Sequence, residues 1–114
     1  MSAERMRRVD EALREVLSDA ITQNLKDPRI GFVTVTAVQT SPDLRHARVH
    51  VSVFGDDTTR KLTMEGLRSA HGFLQRRVAA ELRVKHTPTL EFFYDDTAER
   101  AQRLEALMRE DAAE

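Results

Sequence analysis

Three groups of side chains have the types and spacing that could do chemistry. His46 and His50 stand four residues apart, the interval of a metal pair on a helix. Ser41, Asp43 and His46 hold the residue types of a nucleophilic triad. Asp95, Asp96 and Glu99 form the densest carboxylate cluster, a conceivable Mg²⁺ site. Each group also has a plainer job. The residues around His46 and His50 alternate as in a strand, where four residues span ~13 Å, too far for both rings to reach one zinc at ~2 Å. Ser41 and Asp43 flank Pro42, where short polar side chains bond their own turn. Carboxylates at the start of a helix are held by its dipole and unpaired N–H groups. No GxxxxGK[ST] or GxGxxG run is present, and with no cysteine there is no thiol nucleophile, Cys-ligated zinc or iron–sulfur cluster. The expectation is a protein without catalytic residues, metal, cofactor or small-molecule substrate.

A fourth group is larger and looser. Over residues 60–86, seven basic side chains (Arg60, Lys61, Arg68, Arg76, Arg77, Arg83 and Lys85) meet only Glu65 and Glu81, a net charge of +5, with His71 and His86 in addition. Over residues 91–114, eight acids face Arg100, Arg103 and Arg109, a net charge of −5. The total of −1 over 114 residues therefore conceals a dipole along the sequence. The positive stretch reads either as a footprint for phosphate or as an ordinary solvated helix face.

The elements that must position these groups follow from periodicity. Met6, Val9, Leu13, Val16, Leu17, Ala20, Ile21 and Leu25 keep the rhythm of one helical face, predicting a helix from about residue 3 to 25 that Pro28 ends. Val33, Val35 and Ala37 alternate with Thr34, Thr36 and Val38 as a first strand. Ser41-Pro42-Asp43 turns the chain, and Ala47, Val49, Val51 and Val53 alternate with polar residues as the second strand of an antiparallel hairpin. Helical spacing returns from Leu62 to Leu82 but slips near Ala70-His71-Gly72, predicting two helices that meet at a kink. Leu90, Phe92 and Tyr94 mark a third strand. Asp96-Thr97-Ala98-Glu99 has the spacing of a capping box before a last helix carrying Ala101, Leu104, Leu107 and Met108. The order is α-β-β-α-kink-α-β-α, a single α+β domain over residues 1–114. It has a three-stranded sheet with helices on its apolar face, and an acidic helix from about residue 96.

Glycine at the kink has two readings. Gly72 lets another surface approach the backbone where a helix begins, which favours phosphate, with Arg76 and Arg77 close behind. Equally, Gly72 relieves crowding at a helix–helix corner. Phe32, Phe54, Phe73, Phe92, Phe93 and Tyr94 sit mostly at core-facing periods, so base stacking is not the expected mode and backbone electrostatics should dominate.

The element order with its small-residue kink resembles the type II KH fold, whose members usually clamp a nucleic-acid backbone with a GXXG loop. Here the stretch reads Ser69-Ala70-His71-Gly72, and an Ala-x-Gly kink in place of GXXG resembles the bacterial ribosome-binding factor A family. Leu25-Lys26-Asp27-Pro28-Arg29-Ile30 before Val33-Thr34-Val35-Thr36 looks like that family's lead into the first strand. Ser41-Pro42-Asp43-Leu44 with Ala47-Arg48-Val49-His50-Val51 looks like its hairpin, and Ala70–Leu74 and Pro88–Phe92 complete the pattern over about residues 5–108.

The resemblance implies a non-enzymatic assembly factor that binds the immature small (30S) ribosomal subunit and contacts 16S rRNA near the neck. It further implies support of rRNA end maturation, with most importance in the cold. Carried onto this chain, Ala70, His71 and Gly72 with Arg76, Arg77, Arg83 and Lys85 would face RNA, and Arg45 and Arg48 are secondary candidates. Other readings are a KH-like module acting on another RNA, a protein-interaction domain whose basic stretch meets an acidic partner, and a small α+β hydrolase. No apolar run approaches the ~20 residues of a membrane span, the N-terminus lacks a signal-peptide stretch, and no heptads are sustained. A soluble cytoplasmic monomer is the expectation.

Overall fold

The structure is a computed structural model that describes residues 2–83 and 86–113. Helix α1 spans Ala3–Asp19, opened by the Ser2 hydroxyl accepting from the Arg5 amide. It widens into one π-helical turn at Ala20–Asn24 rather than running on as regular α-helix. Strands β1 (Val33–Thr40) and β2 (His46–Val53) form the antiparallel hairpin. Helices α2 (Asp57–Ser69) and α3 (His71–Glu81) meet at Ala70, the predicted kink. Strand β3 (Thr89–Tyr94) pairs in parallel with β2, giving sheet order β1-β2-β3, and α4 (Thr97–Ala113) follows.

One face of the sheet is the core. Val35, Val38, Ala47, Val49, Val51, Leu90 and Phe92 bury themselves against Leu13, Leu17, Met64, Leu67, Leu74 and Val78 of α1, α2 and α3. The buried phase of β1 changes partway along. The register slips between Val35 and Ala37, leaving Thr36 as an extra residue on β1. A bulge of this kind switches the inward face, so Val38 and Thr40 point inward where unbroken alternation would bury Ala37. Asp10 of α1 fixes this end by accepting from both the amide (2.9 Å) and the hydroxyl (2.6 Å) of Thr40.

The loop from α1 to β1 is held by the middle of α2. Fully buried Thr63 accepts from Gly31 N–H at 3.1 Å and donates to Arg29 O at 3.3 Å. Asp27 accepts from the amide and guanidinium of Arg29, which lowers its pKa. Gly66 gives this loop room: a Cβ there would lie 2.6 Å from Ile30 Cγ1.

Three helices cover the sheet, but α4 does not join them. Every residue of α4 from Arg100 to Ala112 is exposed, including Leu104, Leu107 and Met108. The radius of gyration is accordingly 16.5 Å, against about 13 Å for a compact chain of this length. The start of α4 is fixed by Asp95 instead of the anticipated capping box. Asp95 accepts from the Thr97 hydroxyl and amide and from the Thr36 hydroxyl (2.8 Å), and these bonds hold its carboxyl down at about 2. Glu99 turns away to the Tyr94 hydroxyl and Arg60.

Two predictions follow from this packing. Alanine is the better helix former by about 1 kcal/mol, yet Gly66→Ala overpacks against Ile30, a fault that typically costs ~1–3 kcal/mol. Gly66→Ala should therefore melt several degrees lower, while Gly72→Ala should not, and equal melting temperatures would contradict this packing. Second, a carboxylate whose folded pKa lies below its ordinary value stabilises the fold above that ordinary value. That contribution is lost as the pH falls from about 4 towards 2, so Asp95→Asn should lower stability at pH 7 and flatten its decline in acid, measured by thermal melts across pH.

Candidate nucleic-acid interface

Parallel pairing brings the beginning of β2 beside the beginning of β3. The Thr89 amide donates to Arg45 O at 2.8 Å, so the hairpin tip and the residues before β3 share one end of the sheet. There Arg45, His46, His86, Thr87 and Thr89 surround a hollow of about 480 Å³. Its lining holds one guanidinium and two imidazole rings, and among the described residues no carboxylate.

Gln75 ties this end to α3. Strand β3 lies at the sheet edge, and its odd residues turn towards β2, as the Thr89 and Asp95 amides show. The backbone N–H and C=O groups of its even residues point away from β2, while the side chains of Leu90 and Phe92 enter the core. The Gln75 amide group donates to Pro88 O and accepts from Leu90 N–H at 3.3 Å. Further along, the Arg68 guanidinium reaches Phe92 O at 3.5 Å. A short strand edge is thus covered by side chains of the crossover helices.

The kink stands at the N-terminal end of α3. The Ala70 amide donates back to Gly66 O and Leu67 O, closing α2, while Ala70 O accepts from Leu74 N–H at 3.0 Å, opening α3. Gly72 is exposed, its φ is not positive, and a Cβ there would meet only the Arg76 guanidinium, at 3.4 Å. Crowding within this chain therefore does not explain the glycine. Arg76 lies over the kink one turn downstream and is itself exposed.

The remaining basic candidates separate into groups. Arg77 is half-buried and committed, donating to Glu81 at 2.6 Å and to Asn24 of the π turn. Arg83 is exposed just past α3. Lys85 lies outside the described residues. Arg48 projects from the open face of the sheet, opposite the helices, beside Glu91 and Gln39. The structure thus brings Arg45, His46 and His86 together and links them through Gln75 to the helix carrying Gly72 and Arg76, while Arg48 stands on the open sheet face two residues on from His46, next to Glu91. The sequence marks His86 only as charge and Gln75 only as a neutral residue among the basic ones; its bonds to the backbone of Pro88 and Leu90 leave no periodic signal.

The alternative chemistries take structural roles. The Ser41 hydroxyl donates to Asp43 at 2.6 Å, Asp43 accepts the Arg45 amide, and His46 joins this turn through its backbone. Leu44 completes it at φ 58°. The His50 ring stacks on Phe93, centroids 5.8 Å apart, away from His46. Among the described residues no three His, Asp or Glu side chains come together as a metal site, and no helix is long and apolar enough to cross a membrane.

The aromatic residues correct the sequence expectation. Of six, Phe92 alone is buried, Phe93 and Tyr94 are partly covered, and Phe32 (82% exposed), Phe54 (81%) and Phe73 face solvent. Phe32 and Phe54 lie one residue past partly buried Val33 and buried Val53, where nothing among the described residues covers them.

Comparison with known proteins agrees with this architecture. A protein of Halothermothrix orenii named ribosome-binding factor A is 46% identical over 109 residues, covering 96% of this chain and 89% of its own. The crystal structure of ribosome-binding factor A from Thermus thermophilus superimposes with a TM-score of 0.70 at 29% identity, covering 78% of this chain and 93% of that one. A homology model of the Thermus thermophilus factor, fitted into a cryo-electron-microscopy map of a 30S complex, superimposes at 0.64 with 30% identity, covering 75% and 90%. The family model for ribosome-binding factor A matches residues 5–108, and with the fold in agreement, this chain belongs to the ribosome-binding factor A family.

Proposed function

We propose that this protein is a non-enzymatic assembly factor that binds the free or immature 30S subunit through 16S rRNA. Its role would be in late small-subunit maturation and rRNA end processing, including adaptation to cold. The observation that carries the reading is the basic end of the sheet, where Arg45, His46 and His86 line one hollow that Gln75 joins to the kink helix. Phosphate suits this end. The Arg76 guanidinium over exposed Gly72 sits where the N-terminus of α3 favours an anion. Ala70 and His71 flank that contact, while Arg83, past the far end of α3, Lys85 and Arg48 are the outlying candidates. Family membership and the related factor's fit to a 30S complex support the same partner. The basic hollow is lined by no Phe or Tyr among the described residues, and Phe73 beside the kink is the one exposed aromatic near it, which favours backbone electrostatics over base stacking.

The test is binding to purified small subunits and to matched naked 16S rRNA, titrated from low to physiological salt. Tighter binding to subunits than to naked RNA is expected. Equal and wholly salt-suppressed binding to any RNA would contradict the ribosomal reading and leave a KH-like module for another RNA. Within the same titration Arg76→Ala should flatten the log–log salt slope by about one unit, as loss of one phosphate contact does. Arg77→Ala should leave the slope nearly intact and lower the melting temperature, since Arg77 holds Glu81 and Asn24. A slope change in Arg77→Ala but not in Arg76→Ala would reverse the assignment.

A further inference from the structure

The end of the sheet opposite the basic hollow carries an unexplained surface. Beyond the paired Val33 and Val53, Phe32 and Phe54 oppose each other across the hairpin, with the Phe54 amide donating to Phe32 O at 3.0 Å. Both rings are more than four-fifths exposed. They flank a hollow of about 440 Å³ on the open sheet face, floored by Thr34, Ser52 and Tyr94 and closed on the far side by Glu99 and Gln102 of α4. Two opposed phenylalanines in water are a poor use of apolar surface unless something covers them.

Charge identifies what would cover them. Among the described residues no Lys, Arg or His side chain lines this hollow, whereas Asp95 and Glu99 do. Asp56, Asp57 and Asp96 stand at the same end, against Arg60, Lys61, Arg100 and Arg103 of the first turns of α2 and α4, none of which lines the hollow. Arg60 is already taken by Asp57 and Glu99 and lies 4.6 Å from the Tyr94 ring centre, and Arg100 by Asp96. Asp95 is bonded only by hydroxyl and amide donors of Thr36 and Thr97, none of which cancels its charge. A nucleic-acid backbone would meet repulsion here, while a cationic chain would be attracted.

We propose that the Phe32–Phe54 end is a docking site for a Lys/Arg-rich protein segment, with one aromatic or long aliphatic side chain of that segment seated between the two phenylalanines and its cations beside Asp95 and Glu99. Apolar anchoring within a charged rim is the usual economy of a small interface. The site is independent of the RNA-facing end and does not rest on the ribosomal reading.

The experiment uses the full chain, labelled with ¹⁵N, and three probes of ten residues: a lysine-rich peptide with one central phenylalanine, the same peptide with glutamate for lysine, and an RNA oligonucleotide. The lysine peptide should shift the amides of Phe32, Thr34, Phe54 and Gly55 saturably, and the glutamate peptide should not. Phe32→Ser with Phe54→Ser should weaken the lysine peptide at least tenfold. Thr34→Lys with Gln102→Lys, which places cations in the hollow, should weaken it comparably. All four positions are exposed or partly exposed, and thermal melts check that the variants remain folded. Affinity unchanged in both double variants, or no saturable shift at these amides, would overturn the proposal. Saturation of the same amides by the RNA would overturn it in favour of a base-stacking surface.

Discussion

The parallel register of β2 against β3 is the constraint on which the rest of the molecule depends. A parallel pair cannot be joined by a tight turn, so the chain must leave the end of β2 and return to the start of β3 across residues 54–88. The corner between α2 and α3 is that return path. Leu67 before the corner and Leu74 after it are both fully buried, so each helix closes the core while the corner itself stays at the surface. Gln75 then sits opposite the outward backbone groups of Pro88 and Leu90 and covers a strand edge that would otherwise be open. The kink, the basic residues of the crossover and the hairpin tip meet because one register requires it.

The same register polarises the molecule along its strands. Residues 45, 46, 86 and 89 gather at the beginning of β2 and β3, and residues 54, 94, 95 and 99 at the end. Arg45, His46 and His86 thereby gather at one end of the sheet and Asp95, Asp96 and Glu99 at the other, roughly 20–25 Å apart for eight residues of strand. Arg60 of the basic stretch is held at the acidic end by Asp57 and Glu99. A protein so arranged can present one end to phosphate while the other repels it. Helix α4 leaves from the acidic end, its start set by Asp95 and its length unsupported by the core, which extends the polarity away from the domain.

Much of this was legible in the sequence because the core obeys simple periods. Ala47, Val49, Val51 and Val53 are buried as their alternation requires, and the break in helical rhythm at Ala70 is the corner seen in the structure. What was not legible depends on neighbours distant in sequence. Thr36 bulges where the alternation gives no warning, because the switch of face depends on pairing with His50. Gly66 and Ile30 approach only after the α1–β1 loop folds onto α2. Arg77 reads as a free cation until Asn24, 53 residues away, is placed beside it. Phe32 and Phe54 carry the apolar signal of core residues but fall one step outside the buried ladder, a boundary that composition does not reveal.

The central claim is that the basic end of the sheet, and not its acidic end, lies against RNA. The chain has no cysteine, so a single one can be placed at will. Thr89→Cys, at the rim of the basic hollow, and Gln102→Cys, on the first turns of α4, would each carry a tethered iron chelate on the protein bound to small subunits. Hydroxyl radicals should cut 16S rRNA strongly from position 89 and several-fold more weakly from position 102. Cleavage that is stronger from position 102 would contradict the account.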